Sequence, residues 1–214
     1  MPFDFKKEFK EFYKPSTKPA IITIPKMNFI SVKGKGDPNE ENGEYKNSIS
    51  LIYTIAYTLR MSYKTDYKID GYFKYVVPPL EGLWWQKDLK GSFDYNNKKD
   101  MEFISIMRLP DFITEDDFNW AVDEATKKKK MDFSKVEFMP YEEGECVQVL
   151  HIGAYDDEPA TIDLMDKYME EKGYELDISD TRHHHEIYLS DPRRCNESNL
   201  KTVIRHPIRK KAKD

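Results

Sequence analysis

The sequence predicts an α+β fold: two strand–helix–strand–strand (β-α-β-β) units related by a pseudo-twofold axis, with antiparallel sheets and helices around a central ligand groove. Two observations lead there. Apolar residues recur first at strand and then at helix spacing, and the same order appears twice along the chain. The punctuation also repeats: "FISVKG" and "VLHIG" each end a strand at a glycine, and "YFKYVVPP" and "EIYLSDP" each end one at a proline. The spans Gly34 to Pro78 and Gly153 to Pro192 are similar in length, and each holds a helix and a return strand. Two copies argue for a duplicated unit and not for an array.

The first unit is expected over about residues 18–113, behind a lead-in at 1–17. Ala20 to Gly34 is β-rich around Pro25. After a Gly/Asn-rich loop, Ile49, Ile52, Tyr53, Ala56 and Leu59 fall on one helical stripe. "KIDGYFKYVVPP" reads as a strand, with Phe73, Tyr75 and Val77 on one side and Tyr72, Lys74 and Val76 on the other. "PPLEGLWWQ" reads as a Pro/Gly-bounded loop, and "MEFISIMRLPDFI" as a further strand broken by Pro110. A connecting helix follows at about 114–130. Thr114 is its N-cap, Asp116 and Asp117 occupy its first turn, and Phe118, Ala121, Val122 and Ala125 form its apolar stripe.

The second unit is expected over about 131–208, so that 18–208 is one domain, with a basic tail at 209–214. "ECVQVLHIG" is its first strand. "DDEPATIDLMDKYMEEKG" begins with acidic residues and Pro159, carries a stripe of Ile162, Met165, Tyr168 and Met169, and stops at Gly173. "HHHEIYLSDP" and "LKTVIRHPI" are the closing strands.

Composition narrows the function classes. Of the 214 residues, 39% are hydrophobic and 34% charged, which suits a soluble protein that concentrates its buried surface in a few segments. Aromatic residues reach 14%, enough to fill a core and also line a ligand cavity. A net charge of -5 argues against general affinity for nucleic acid, whose phosphates need a basic field. The basic run Lys127 to Lys130 suits a helix C-terminus, and Arg205 to Lys213 reads as a basic tail. Cys146 and Cys195 are too few for a disulfide framework, so a reducing cytoplasm is expected. No apolar run is long enough to cross a membrane.

Two stretches carry chemistry. In "HHHEIYLSDPRR" the three histidines alternate between faces, so at most His183 and His185 share a side. No Cys/His pair or HExxH helix supplies further ligands, and no metal or cofactor is expected. Glu186, Tyr188 and Ser190 face one way; His185, Ile187 and Leu189 face the other, which belongs against helices. If the first face is open, Glu186 is an ordinary surface charge. If it closes over an aromatic groove, the ionised carboxylate needs a partner, and a lipophilic cation would supply one. In "PPLEGLWWQ", the side chains of Trp84 and Trp85 diverge; one or both cover a hydrophobic seam or wall a groove.

The stretches "FKYVVPPLEGLWW", "HIGAYDDEPATIDLMDKYMEEKGY", "HHHEIYLSDPRR" and "LKTVIRHPI" resemble stand-alone members of the GyrI-like small-molecule-binding family, from about Lys18 to Ile208. The resemblance implies two SHS2-type repeats around an aromatic groove that takes hydrophobic, aromatic or cationic small molecules. It also implies a groove glutamate, at the position of Glu186 here. A subset of relatives with a similar double tryptophan and "HHEIYLSDPRR" pattern hydrolyses cyclopropane-bearing genotoxic natural products, so the same activity is expected. On that expectation Glu186 is base or anchor, Tyr188 donor or orienter, and Trp84 and Trp85 are walls. Tyr53, Tyr57, Phe138 and His151 are further ligand-binding candidates. The lead-in 1–17 holds no helix-turn-helix, which with the acidic charge disfavours a DNA-reading regulator. Non-catalytic sequestration of amphipathic or cationic drugs is the alternative. A gyrase-inhibitor-like role through a protein partner is a third reading, with no sequence feature of its own.

Overall fold

Two long strands organise the chain because each is long enough to pair with two neighbours. In the computed structural model, which describes residues 1–89 and 91–212, β1 (Ala20–Lys35) runs antiparallel to β4 (Val136–Ile152), from Ala20 opposite Gln148 to Val32 opposite Val136. The last two residues of the expected basic tail lie outside the described residues. The far half of β1 pairs with β3 (Met101–Arg108), with Ser31 opposite Ile106. From there the order continues through β2 (Glu81–Gln86), β6 (His184–Tyr188) and β7 (Lys201–Lys210), and β7 pairs back onto β4, with Val203 opposite Leu150. The ring β4-β1-β3-β2-β6-β7 is therefore closed and antiparallel, and closure leaves these strands no shared open edge. A short β5 (Tyr174–Leu176) adds to the outer end of β7.

The barrel has a packed interior. Ile24, Met27, Phe29, Leu83, Ile106 and Cys146 fill it, around a void of about 10 Å³ also bordered by Glu81, Glu143, His185 and Arg205. Residues 1–17, expected as a lead-in, fold over this interior as two short helices, α1 (Phe5–Glu8) and α2 (Lys10–Tyr13). Phe5 and Tyr13 bury against Tyr75, Ile187 and Val203. Gln148 Nε2 donates to Glu11 O at 2.7 Å and Arg205 Nη2 to Phe12 O at 3.2 Å, so barrel side chains satisfy the backbone of the segment that covers them.

Three longer helices pack outside. α3 (Glu44–Arg60) and α4 (Glu115–Lys128) cover the first half: Leu51, Ile52, Ile55 and Leu59 meet Ile30, Val32, Met107, Phe118 and Ala121. Thr114 and Asp117 form a capping box at the start of α4, as the sequence predicts for Thr114. α5 (Glu158–Glu171) lays Ile162, Met165 and Met169 on Val147, Val149, Ile204 and Ile208. α3 thus serves the half built from β1, β2 and β3, and α5 the half built from β4, β6 and β7. Between them runs the seam where β2 meets β6.

One element departs from the sequence reading. Residues 72–78 are not a strand of the sheet; their backbone makes only an isolated bridge, Tyr75 to Phe3. Pro78 and Pro79 lack the N–H donors a central ladder needs, and the apparent alternation instead reflects Tyr72 and Tyr75 packing on Phe112. The return strand is "EGLWWQ", expected as a loop. Its glycine serves close approach and not a turn: a Cβ at Gly82 would lie 2.5 Å from Trp84 Nε1 and 2.9 Å from the Tyr188 hydroxyl. The strand that corresponds to β6 is therefore 81–86, not 73–78.

Candidate functional site

The β2–β6 register sets Gly82 opposite Glu186 and Trp84 opposite His184. Since side chains alternate along a strand, Trp84, His184, Glu186 and Tyr188 share the outer face of the barrel. Trp84 Nε1 donates to the Tyr188 hydroxyl at 2.7 Å. The indole rests on Tyr45, at 5.0 Å between ring centroids, and on Phe103, at 5.4 Å. Tyr155 meets Tyr188 edge-on at 5.9 Å, and Phe93 meets His184 edge-on at 4.9 Å. Tyr45 is near the N-terminus of α3, while Tyr155 and Glu158 are at that of α5, so both helices aim their first turns at the seam. Phe93 and Tyr95, between β2 and β3, pack with Trp84, Met101 and Phe103 and narrow the trough.

Glu186 lies on the floor of this trough, its side chain 13% exposed. His184 Nε2 is 3.0 Å from Glu186 Oε1, and His184 Nδ1 is 2.7 Å from His206 Nε2. An ionised carboxylate only accepts, so the first bond requires the proton on His184 Nε2. Burial and then the neighbouring His184 push His206 well below the usual histidine range, so its ring is neutral. His206 fixes the plane of His184, and His184 holds one oxygen of Glu186. Its other oxygen needs no share in that bond.

A second carboxyl faces the first. Glu158, the first residue of α5, is 2% exposed, and its Oε1 has no hydrogen-bond partner among the described residues. Burial raises it well above the usual carboxyl range, and the charges of Glu186 and Asp156 add to the rise. Ligand atoms of Glu158, His184 and Glu186 come within 4.8 Å of one another, the spacing of a cation's donor set. His184 would have to give up the Nε2 proton it shares with Glu186 to join such a set. The phenols around the pair remain protonated donors: Tyr188 and Tyr155 are raised by burial and then by Glu186, and Tyr95 by burial and then by Glu158.

Of the residues singled out in the sequence, the structure brings Trp84, Glu186 and Tyr188 together. Trp85 points to the other face of β2, where it stacks on His183 at 4.2 Å beneath Lys33. Tyr53 and Tyr57 stack on each other at 6.2 Å along α3; Tyr53 reaches towards Asp191 and Arg193 beyond β6, whereas Tyr57 is 49% exposed. Phe138 packs on Phe118 at 5.8 Å. His151 bonds Thr161 Oγ1 at 2.8 Å and Ala154 O at 3.0 Å, fastening the end of β4 to the turn that carries Tyr155 and Glu158. The sequence reading did not single out Tyr45, Phe93, Tyr95, Tyr155, Glu158 or His206. They come from four separated segments, and only the closed barrel brings them to one place. Glu158 carried a misleading signal, since an acid beside Pro159 reads as ordinary helix-start chemistry.

Comparison with known proteins fits this geometry. The model of the GyrI-like small molecule binding domain matches residues 17–209. The chain belongs to the GyrI-like family. Two crystal structures of Listeria innocua proteins described as hydrolases, one of them encoded by lin2189, are 44% and 45% identical, with TM-scores of 0.88 and 0.89. They cover 97% and 98% of this chain, and all of each Listeria chain is matched. The C-terminal domain of EcmrR, at 17% identity and a TM-score of 0.54, covers 91% of this chain and 98% of its own, and shares the fold. No curated protein matches the chain. As a GyrI-like domain it binds small molecules, and no helix among its described residues is long and apolar enough to cross a membrane.

Proposed function

We propose that the β2–β6 seam takes flat, hydrophobic small molecules, cationic ones included, and hydrolyses cyclopropane-bearing electrophiles among them. The observation that carries this reading is Glu186, set in an aromatic trough with one oxygen held by His184. The hydrolase description of the Listeria innocua relatives supports a hydrolytic role. In the proposed reaction, water attacks a ring carbon of a cyclopropane conjugated to a carbonyl. The ring bond breaks and its electron pair reaches the carbonyl oxygen. Glu186 removes the proton from the attacking water. Tyr188 donates to the developing oxyanion, and the 2.7 Å bond it accepts from Trp84 makes its own O–H a stronger donor. Trp84 and Tyr45 hold the planar body of the substrate. With two unpaired cysteines, one of them buried, the protein suits a reducing cytoplasm.

The test is ring opening of a cyclopropane-bearing alkylator, followed by absorbance for wild type and Glu186→Gln. Loss of the base should lower kcat by about 10²–10⁴-fold, and binding of a cationic dye should weaken more than that of a neutral dye of equal size. If wild type binds but never turns over, the groove is a sequestering receptor. Full turnover by Glu186→Gln would remove the base from its role.

A further inference from the structure

The seam holds a second carboxyl for which neither the fold nor the aromatic packing has a use. Glu158 is buried to the same degree as the core around it, yet Oε1 is unpartnered and the side chain faces Glu186. In a protein interior a polar atom without a partner costs about 1–3 kcal/mol. A helix start offers free backbone N–H groups to any carboxylate that turns back on them, and the His151 clamp keeps this turn in place. Glu158 nevertheless projects towards the trough.

The charged and titratable groups around it come from every packed element. Glu186 and His184 lie on β6, with His206 behind them on β7. Asp156 and Tyr155 lie on the turn before α5, and Tyr95 lies on the segment after β2. The nearby ammonium, Lys98, pairs with Asp156 at 2.7 Å on the exposed side and does not bond Glu158. Two carboxyls thus share one largely enclosed site, with no lysine or arginine bonded to either among the described residues. Such a pair holds a proton on one member, and the less exposed one is Glu158.

We infer that Glu158 is the proton donor of this site, paired with Glu186 as the acceptor; this rests on the hydrolytic reading above and assigns the acid that reading lacks. The water oxygen bonds to the ring carbon while the ring C–C bond breaks. The electron pair of that bond passes through the conjugated system to the carbonyl oxygen. Glu186 takes a proton from the water, and Glu158 gives its proton to the oxygen that Tyr188 holds. Glu158 is left as carboxylate and Glu186 as acid. Return of one proton from Glu186 to Glu158 restores the pair. The net change is one water added across the broken bond, with no oxidant, reductant or metal involved.

The experiment compares wild type, Glu158→Gln and Glu158→Asp by two readouts. In the turnover assay, Glu158→Gln should lower kcat about a hundredfold with KM within about twofold. The fall in wild-type rate at alkaline pH, where the donor loses its proton, should vanish. Glu158→Asp should recover part of the rate and restore the alkaline limb. The second readout is thermal stability against pH, and its sign follows from linkage. A carboxyl raised on folding contributes stability that is present below its unfolded pKa and lost as pH rises through the folded one. Glu158→Gln should therefore gain stability relative to wild type as pH rises. A difference in Tm that stays constant with pH would show that Glu158 holds no such proton. Full kcat with an intact alkaline limb in Glu158→Gln would overturn the donor role alone. Absence of turnover in wild type would overturn the hydrolytic reading and the donor role together.

Discussion

Strand β6 presents a histidine–glutamate cluster on each face, and the two are balanced differently. On the inner face His185 donates from both ring nitrogens, at 2.9 Å to Glu81 and at 3.1 Å to Glu143. Arg205 Nη1 bonds Glu143 at 2.9 Å and Nη2 bonds Gln148 at 3.1 Å. Burial alone would raise Glu143, but the charges of His185 and Arg205 outweigh it and hold the carboxyl down at about 2. Burial alone would lower His185, but Glu143 and Glu81 carry it up to about 9. Two cations thus answer two carboxylates. On the outer face, two carboxyls meet a histidine pair and a set of neutral phenols, and one carboxyl oxygen is unpartnered. The inner cluster is fully buried, whereas Glu186 on the outer face keeps 13% of its side chain exposed, so the outer set is also the one that a ligand can reach. A closed set of partners fixes a fold, whereas an open one is free to meet a ligand.

The largest effect should come from breaking the inner set. Arg205→Met leaves Glu143 and Glu81 with a single cation, and should cost about 3–5 kcal/mol of stability. Glu186→Gln on the outer face should stay within about 1 kcal/mol, both by urea denaturation. If the outer substitution unfolds the protein and the inner one is tolerated, the contrast is inverted.

The pH dependence of stability sharpens the same point. Glu143 is depressed on folding, so its contribution is present above the unfolded carboxyl pKa and lost as pH falls towards about 2. His185 is raised on folding, so its contribution is complete below the unfolded histidine pKa and lost as pH rises through about 9. Stability of wild type should decline at both ends. His185→Gln should abolish the fall near pH 9 while leaving the decline that Glu158 contributes as pH rises through its own raised pKa. A flat profile across that range in wild type would mean that the inner histidine carries no proton.

Smaller effects concern access and orientation. Tyr188→Phe removes the donor, and should lower kcat by about tenfold to a hundredfold; it also takes the acceptor from the buried Trp84 Nε1, and should cost about 1–3 kcal/mol of stability. Phe93→Ala opens the trough beside His184, so association of a dye followed by stopped flow should quicken a few-fold, with less change in turnover. An unchanged association rate would mean that ligands enter elsewhere along the seam.

Much of the fold was legible because it depends on local regularities. The stripes of α3, α4 and α5, the cap at Thr114 and the stop at Gly173 all follow from helical spacing and end chemistry. Alternation separated Glu186 and Tyr188 from His185 and Ile187, as the strand requires. Neighbouring tryptophans had to diverge, but which one entered the trough was not legible, because that depends on the register of β2 against β6. The strand at 81–86 was hidden because Gly82 reads as a loop residue until Trp84 and Tyr188 are seen to occupy its Cβ space.

By itself the sequence determined the order of elements, the two faces of β6 and the family to which the chain belongs, since these are written in spacing and in contiguous motifs. Tertiary structure alone decided that β7 closes on β4, that residues 1–17 cover the barrel and that Glu158 faces Glu186. Those facts join residues far apart in the chain. No periodicity records which distant segments will meet, or which buried charge will lack a partner when they do.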